Sequence, residues 1–177
     1  MTKPIPLSTN PLYYSFLESP IGIIGVAMTS KGLKALIIVS SPAEIVTQFE
    51  RVKLPIECDH QKCSSIIQQL HEYFDGTRQQ FTIPIDWDGM NTFEERVLRA
   101  TLAIPYGETR TYREIASQVS TPFAARAVGH VEASNPIPIV IPCHRVIGVD
   151  GLLRGYSGHG GIATKQWLLE HEQKHKK

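Results

Sequence analysis

The chain has 177 residues, 42% of them hydrophobic and 20% charged, with a formal net charge of +1. That balance excludes a disordered segment and suffices for one sizeable or two small cores. No apolar run reaches the roughly 20 residues of a bilayer crossing, prolines interrupt "MTKPIPLSTNP" where a signal peptide would be apolar, and three cysteines make no disulfide framework, so a cytoplasmic protein is expected, nucleoid-associated or nuclear according to its source.

Charge is uneven along the chain. Seven basic face nine acidic residues before Thr92, and eleven face eight from there on, a mild basic excess that suits a nucleic-acid partner or an ordinary solvated surface. "LYYSFLES", "IGIIGVAMTS" and "LKALIIV", punctuated at Ser19-Pro20 and Lys31-Gly32, predict a short antiparallel meander. "PAEIVTQFERV" and "SSIIQQLHEYFDG" predict helices, the second placing Ile66, Ile67, Leu70 and Phe74 at helical spacing and stopping at Gly76. "FTIPIDWDGMN" predicts a short strand and then a link, so the boundary falls near Gly89: an α/β N-terminal domain over 1–89 and a mainly α C-terminal domain over 90–177.

After the boundary the pattern becomes helical. "NTFEERVLRATLAI" predicts a helix with Thr92 as N-cap, Phe93, Val97, Leu98 and Leu102 on one side, and Pro105 and Gly107 as its stop. "TRTYREIASQV" and "PFAARAVGHVEAS", split by "STP", predict two short helices in helix-turn-helix order. "TKQWLLEHEQKHKK" predicts a closing amphipathic helix, on which His171 and His175 fall on a solvated polar face.

The chemistry concentrates in "IPIVIPCHRVIG". Its composition predicts a buried strand that ends at Pro142, which puts Cys143 at a strand-to-turn junction. A thiol with an ordinary pKa is only slightly ionised at neutral pH, so a working cysteine needs a base or a positive charge nearby, and His144 and Arg145 are the candidate suppliers. The same residues also suit a small buried hydrophobe beside a hydrogen-bonded core histidine. "CDHQKC" brings Cys58, His60 and Cys63 together, but it has no second half at finger-like spacing, and no metal or cofactor is expected.

"IPCHRVIG", with "IPYGETRTYREIA" and "AARAVGHVEASNPIPIV" before it and "GYSGHGGIATKQWLLEHE" after it, resembles the O6-alkylguanine-DNA alkyltransferase family. The match runs in order from Phe93 to Glu172, and "SPIGIIGVAMTSKGLKALII" with "LHEYFDGTRQQFTIPIDWDGM" resembles the family's N-terminal domain. The resemblance implies a monomer that flips O6-alkylguanine out of duplex DNA and moves the alkyl group to its own cysteine in a single turnover. It also implies that Cys143 is the acceptor, His144 takes its proton through a water, and Glu172 orients the imidazole. Asn135 would tie the DNA-reading helix to the active-site loop. Tyr112 would hydrogen-bond the purine, with Val146, Tyr156 and Ser157 around the base. Arg126 would fill the vacated stack, and Ala125, Ala127, Gly129, Thr111 and Arg113 would lie on the DNA side.

Two features depart from the family pattern. Glu132 is expected on the groove-facing side of its helix, where its removal would strengthen DNA binding at low salt, and "GYSGHGGIATK" is longer than the shorter "YSGG" form. A non-enzymatic lesion-binding protein on the same scaffold is the alternative; such relatives carry another residue where this chain has Cys143. A Cys-His hydrolase would leave Arg126 and the paired helices without a role.

Overall fold

The computed structural model describes residues 11–50, 55–121, 123–156 and 158–176. Three strands rich in Ile, Val and Leu, β1 (Leu12–Ser19), β2 (Gly22–Thr29) and β3 (Gly32–Val39), form the expected antiparallel meander. Gly32 is required at the second turn: its φ is +139°, and a Cβ there would stand 2.3 Å from the Pro84 carbonyl oxygen. Helix α1 (Pro42–Glu50) returns the chain, and β4 (Ile56–Cys58) then joins β1 in parallel, giving the order β3-β2-β1-β4. Sequence patterning, which predicts antiparallel pairing alone, misses this strand because it is only three residues long.

Helix α2 (Ser64–Phe74) buries Ile66, Leu70 and Tyr73, and the chain leaves it through Gly76 at φ +74°. The strand predicted in "FTIPIDWDGMN" does not form; one isolated bridge pairs Leu33 with Ile85. Pro84 has no N–H to give a ladder, and the next polar residue, Asp86, turns inward to accept from Thr29 Oγ1 at 2.6 Å.

In the second half, α3 (Thr92–Leu102) is capped by Asn91 rather than Thr92, in a reciprocal capping box with Glu94. Val97 and Leu98 are buried as expected, whereas Leu102 faces solvent. The next predicted helix begins late: Arg110–Thr111 is a short strand, β5, parallel to β6 (Val146–Ile147), and α4 (Tyr112–Gln118) starts only where Thr111 caps it. A tight link with Ser120 at φ 58° leads to α5 (Ala125–Ala133), and Phe123 stands fully exposed just before it.

The strand predicted for "IPIVI" is also absent. Ile137, Ile139, Val140 and Ile141 are buried, but the flanking prolines remove ladder donors and Ile139 sits at φ 72°, an uncommon and strained choice for a β-branched residue. The segment folds as turns with one bridge, Pro138 with Ile141, and runs into a 3-10 turn at Cys143–Arg145. Helix α6 (Ile162–His175) closes the chain, and its buried face is not apolar: Thr164, Lys165, His171 and Glu172 point inward with Leu168. An α/β N-terminal part is thus followed by a mainly helical C-terminal part.

One core runs through both halves, from Leu36, Ile38 and Tyr73 to Val97, Ile115, Ile141 and Leu168. Backbone bonds join them as well. Leu36 N–H donates to the Pro136 carbonyl at 2.8 Å and His159 N–H to the Ile38 carbonyl at 3.2 Å, so the outer edge of β3 is covered by the loops on either side of the 3-10 turn.

Candidate active site

Cys143 opens the 3-10 turn and is 4% exposed. Burial pushes its thiol up to about 12, the negative charge of Glu132 adds to this, and the Asn135 side chain opposes it. A group so placed is a neutral thiol at rest, and it becomes a nucleophile only when a neighbour takes its proton.

His144 is fully buried, with Nε2 2.7 Å from Glu172 Oε1. Glu172 also accepts from Arg145 Nε and Nη2, each at 2.9 Å, from Tyr73 Oη at 2.9 Å and from the Gly107 N–H at 3.0 Å. Burial raises the Glu172 carboxyl, but its bonds from His144 and Arg145 outweigh that and hold it well below the usual carboxylate range. An ionised Glu172 can only accept, so His144 Nε2 carries the hydrogen and Nδ1 carries the lone pair. Burial also lowers His144, which keeps the imidazole neutral, and Nδ1 is buried with no hydrogen-bond partner among the described residues. Together these make an oriented base with one free nitrogen.

Arg145 does not serve the thiol as its sequence position suggests. Its guanidinium is spent on Glu172, the Ile104 carbonyl at 2.6 Å and the face of Tyr106. The cation near Cys143 is Lys165, 1% exposed, whose Nζ donates to the Val146 carbonyl at 2.7 Å and the Arg154 carbonyl at 3.1 Å and approaches Tyr112 Oη at 3.5 Å. Sequence reading missed it; the available signal was a lysine three residues before Leu168 and seven before Glu172, on the inward face of α6.

Asn135 links the end of α5 to the loop: its Nδ2 donates to the Ile141 carbonyl at 2.8 Å and its Oδ1 accepts from the Ile137 N–H at 3.0 Å. Tyr112 heads α4, and burial pushes its phenol up to about 12, helped by the charges of Glu132 and Cys143. It lines a cleft of about 570 Å³ together with Arg113, Ala125, Arg126, Gly129 and Arg154. Arg126 is exposed and makes no ion pair among the described residues. Ala127 is exposed but outside the cleft, and Thr111 is occupied as the cap of α4, accepting from the Glu114 N–H. Val146 is buried and Tyr156 half-buried, with a phenol oxygen that lacks a partner among the described residues. Ser157 lies outside the described residues. In the longer loop, Gly160 and Gly161 take φ of +80° and +55° and turn the chain into α6.

Two expectations need correction. Glu132 does not face a groove: it is 4% exposed and turned inward against Thr101 of α3. The reason is helical phase, since it lies seven residues from Ala125 but close to the side of Val128 and Val131, which pack into the core. His171 is not on a solvated face either; its Nε2 meets the Tyr73 carbonyl at 2.8 Å and its ring stacks on Trp167 at 4.9 Å. In "CDHQKC", Cys63 is buried with Sγ toward the Tyr13 carbonyl, while Cys58 is exposed 3.7 Å from His60 Nε2. No group of three metal-capable side chains occurs among the described residues, and no helix among them is long and apolar enough to cross a membrane.

Residues 12–87 match the ribonuclease-like domain of 6-O-methylguanine DNA methyltransferase and residues 92–174 its DNA binding domain. The methylated-DNA–protein-cysteine methyltransferase of Methanosarcina barkeri is 41% identical over 92% of this chain and 98% of its own length. The protein of that description from Mycobacterium tuberculosis is 41% identical over 92% of this chain and 93% of its own. Among solved structures, M. tuberculosis O6-methylguanine methyltransferase aligns with a TM-score of 0.79 at 39% identity, covering 94% of this chain and 95% of that one. The M. tuberculosis OGT in complex with DNA aligns at 0.78 and 40% identity, covering 92% and 94%. The chain therefore belongs to the 6-O-methylguanine DNA methyltransferase family, the methylated-DNA–protein-cysteine methyltransferases.

Proposed function

We propose that this protein repairs duplex DNA carrying O6-alkylguanine by moving the alkyl group irreversibly onto Cys143, once per molecule, as a monomer without a cofactor. The observation that carries the reading is a buried thiol followed by a histidine that Glu172 holds through Nε2, leaving Nδ1 without a partner among the described residues to take the proton. The thiol proton passes to His144 through a water. The S–C bond forms as the C–O6 bond breaks in line, and the electron pair of that bond leaves on the guanine, which then takes up a proton. Tyr112, a firm O–H donor at neutral pH, hydrogen-bonds the purine and offsets the developing charge. Val146, Tyr156 and Ser157 surround the base.

On the DNA side, α4 and α5 act as a helix-turn-helix laid against the minor groove, and the exposed Arg126 fills the gap left by the flipped base. Thr111, Arg113, Ala125, Ala127 and Gly129 complete that face. The division into 1–89 and 90–177 is supported by the two family matches, which meet between residues 87 and 92. The test is intact mass after incubation with a duplex containing O6-methylguanine, followed by peptide mapping. One methyl per chain at Cys143, and none in Cys143→Ser, is the expected result; repeated turnover, or a methyl on Cys58 or Cys63, overturns the reading.

A further inference from the structure

Glu132 is a buried acid that the transfer described above does not use. Its Oε1 lies 2.5 Å from Thr101 Oγ1, and its Oε2 has no hydrogen-bond partner among the described residues. The same Thr101 hydroxyl lies 3.1 Å from the Val97 carbonyl. A hydroxyl has one proton, and here it meets two oxygens, so with an ionised Glu132 one of the two contacts lacks a hydrogen. A proton on Glu132 resolves this: the acid donates to Thr101, and Thr101 donates to Val97. The remaining oxygen is then a neutral carbonyl, far less costly to leave unbonded in the interior than part of a carboxylate. Burial acts in the same direction and pushes Glu132 up to about 7, against the pull of Thr101 and Lys165.

The ionisable groups that share this space come from three other elements: Tyr112 of α4, Cys143 of the 3-10 turn and Lys165 of α6. Glu132 and Cys143 each raise the cost of ionising the other, and the coupling is reciprocal. We propose that Glu132 is a positioning residue for alkyl transfer, which holds its own proton while Cys143 gives one up and whose ionisation slows the reaction. The inference rests on Cys143 being the alkyl acceptor. Atoms balance without a new reactant, since Glu132 only keeps or loses a solvent-exchangeable proton.

The consequence is a particular pH profile. Below about pH 7 Glu132 is neutral and the rate rises with the thiolate fraction. Above it, the carboxylate opposes each further thiolate and the rise flattens. Glu132→Gln keeps a neutral side chain of nearly the same shape, so its rate continues to climb. One pKa unit of coupling would make the variant about tenfold faster at pH 8.5, a gain that shrinks toward pH 6.

The experiment is the single-turnover rate with the free base O6-benzylguanine, which involves no DNA binding, from pH 6 to 9 for wild type and Glu132→Gln. The rate at which iodoacetamide labels Cys143, read site by site through peptide mass mapping, is followed over the same pH range in both proteins as a report of its small thiolate fraction. Cys143 labelling in the variant that pulls ahead of wild type above about pH 7, by up to about tenfold, together with the diverging transfer rates, supports the proposal. Rate profiles in constant ratio at every pH overturn it and leave Glu132 a packing residue. If the variant does not fold, infrared titration of wild type decides: a protonated-carboxyl band at pH 6 that is lost by pH 8 supports the proposal, and a carboxylate throughout overturns it. A wild type that transfers no alkyl group would instead overturn the acceptor assignment, and the iodoacetamide labelling would still decide the coupling.

Discussion

A thiol held at about 12 by burial depends on its neighbours for ionisation, and the neighbours here are set by one carboxylate. Glu172 fixes the His144 tautomer and is the counter-charge of a buried Arg145. Glu172→Gln therefore leaves a buried guanidinium unpaired and should cost about 3–5 kcal/mol of stability in urea unfolding. The imidazole also loses its fixed orientation, so the single-turnover rate should drop by about 10²-fold or more; an unchanged midpoint would show that Arg145 is balanced elsewhere. Glu132 has the opposite sign. Its folded value, about 7, lies above that of an unfolded glutamate, so its contribution is fully present below about pH 4.5 and is lost as pH rises through 7. Glu132→Gln removes that loss and should be more stable than wild type by roughly 2–3 kcal/mol at pH 8, with the difference vanishing near pH 4.5. Urea midpoints at the two pH values check it, and a pH-independent difference would rule it out.

At the scale of elements, the helices are set by their ends. The capping boxes Asn91–Glu94 and Thr111–Glu114 satisfy N–H groups that the helices themselves leave free. Asn91→Ala should cost about 1 kcal/mol, measured by thermal or urea unfolding, with little change in the free-base reaction because the cap lies at the far end of α3 from Thr101, which meets Glu132. Helix α5 has two faces with separate duties. Val128, Val131 and Glu132 pack inward, and Arg126 stands outside. Arg126→Ala should then slow repair of duplex DNA severely while sparing the free base O6-benzylguanine, which needs no flipping. Equal losses on both substrates would assign Arg126 to the fold.

Across the whole molecule, Glu172 joins the two halves, since Tyr73 of α2 donates to it from the N-terminal part. Unfolding should therefore be one transition rather than two. Tyr73→Phe removes a hydrogen bond to a charged group and should lower stability by about 1.5–3 kcal/mol, keeping the transition single in denaturant titrations followed by fluorescence and circular dichroism. Acid acts at the same place. His144 and Glu172 both have depressed folded values, so the unfolded chain gains protons that the folded one refuses, below about pH 6.5 for the histidine and about pH 4.5 for the glutamate. Stability should fall on acidification through that window, and more steeply in Glu132→Gln, which lacks the opposing contribution.

The sequence by itself determined what depends on neighbours along the chain. Hairpin turns and helix stops such as Gly76 follow from local conformational preference, and the Pro-Cys-His-Arg order with Glu172 carried the family resemblance, through which Arg126 was singled out. What it could not determine depends on partners brought from far away. The segment Ile137–Ile141 reads as a strand from its side chains, but prolines on either side of Ile137 remove ladder donors and Ile139 at φ 72° breaks the extended backbone, which leaves it turns instead. His171 and Glu132 read as surface residues, and Lys165 drew no reading, because burying a polar group is costly unless something compensates it, and the compensating groups lie up to 98 residues distant, as for His171 and Tyr73. Only the tertiary structure supplied the carbonyls around Lys165 and the Thr101 hydroxyl beside Glu132, and with them the electrostatics that set when Cys143 ionises.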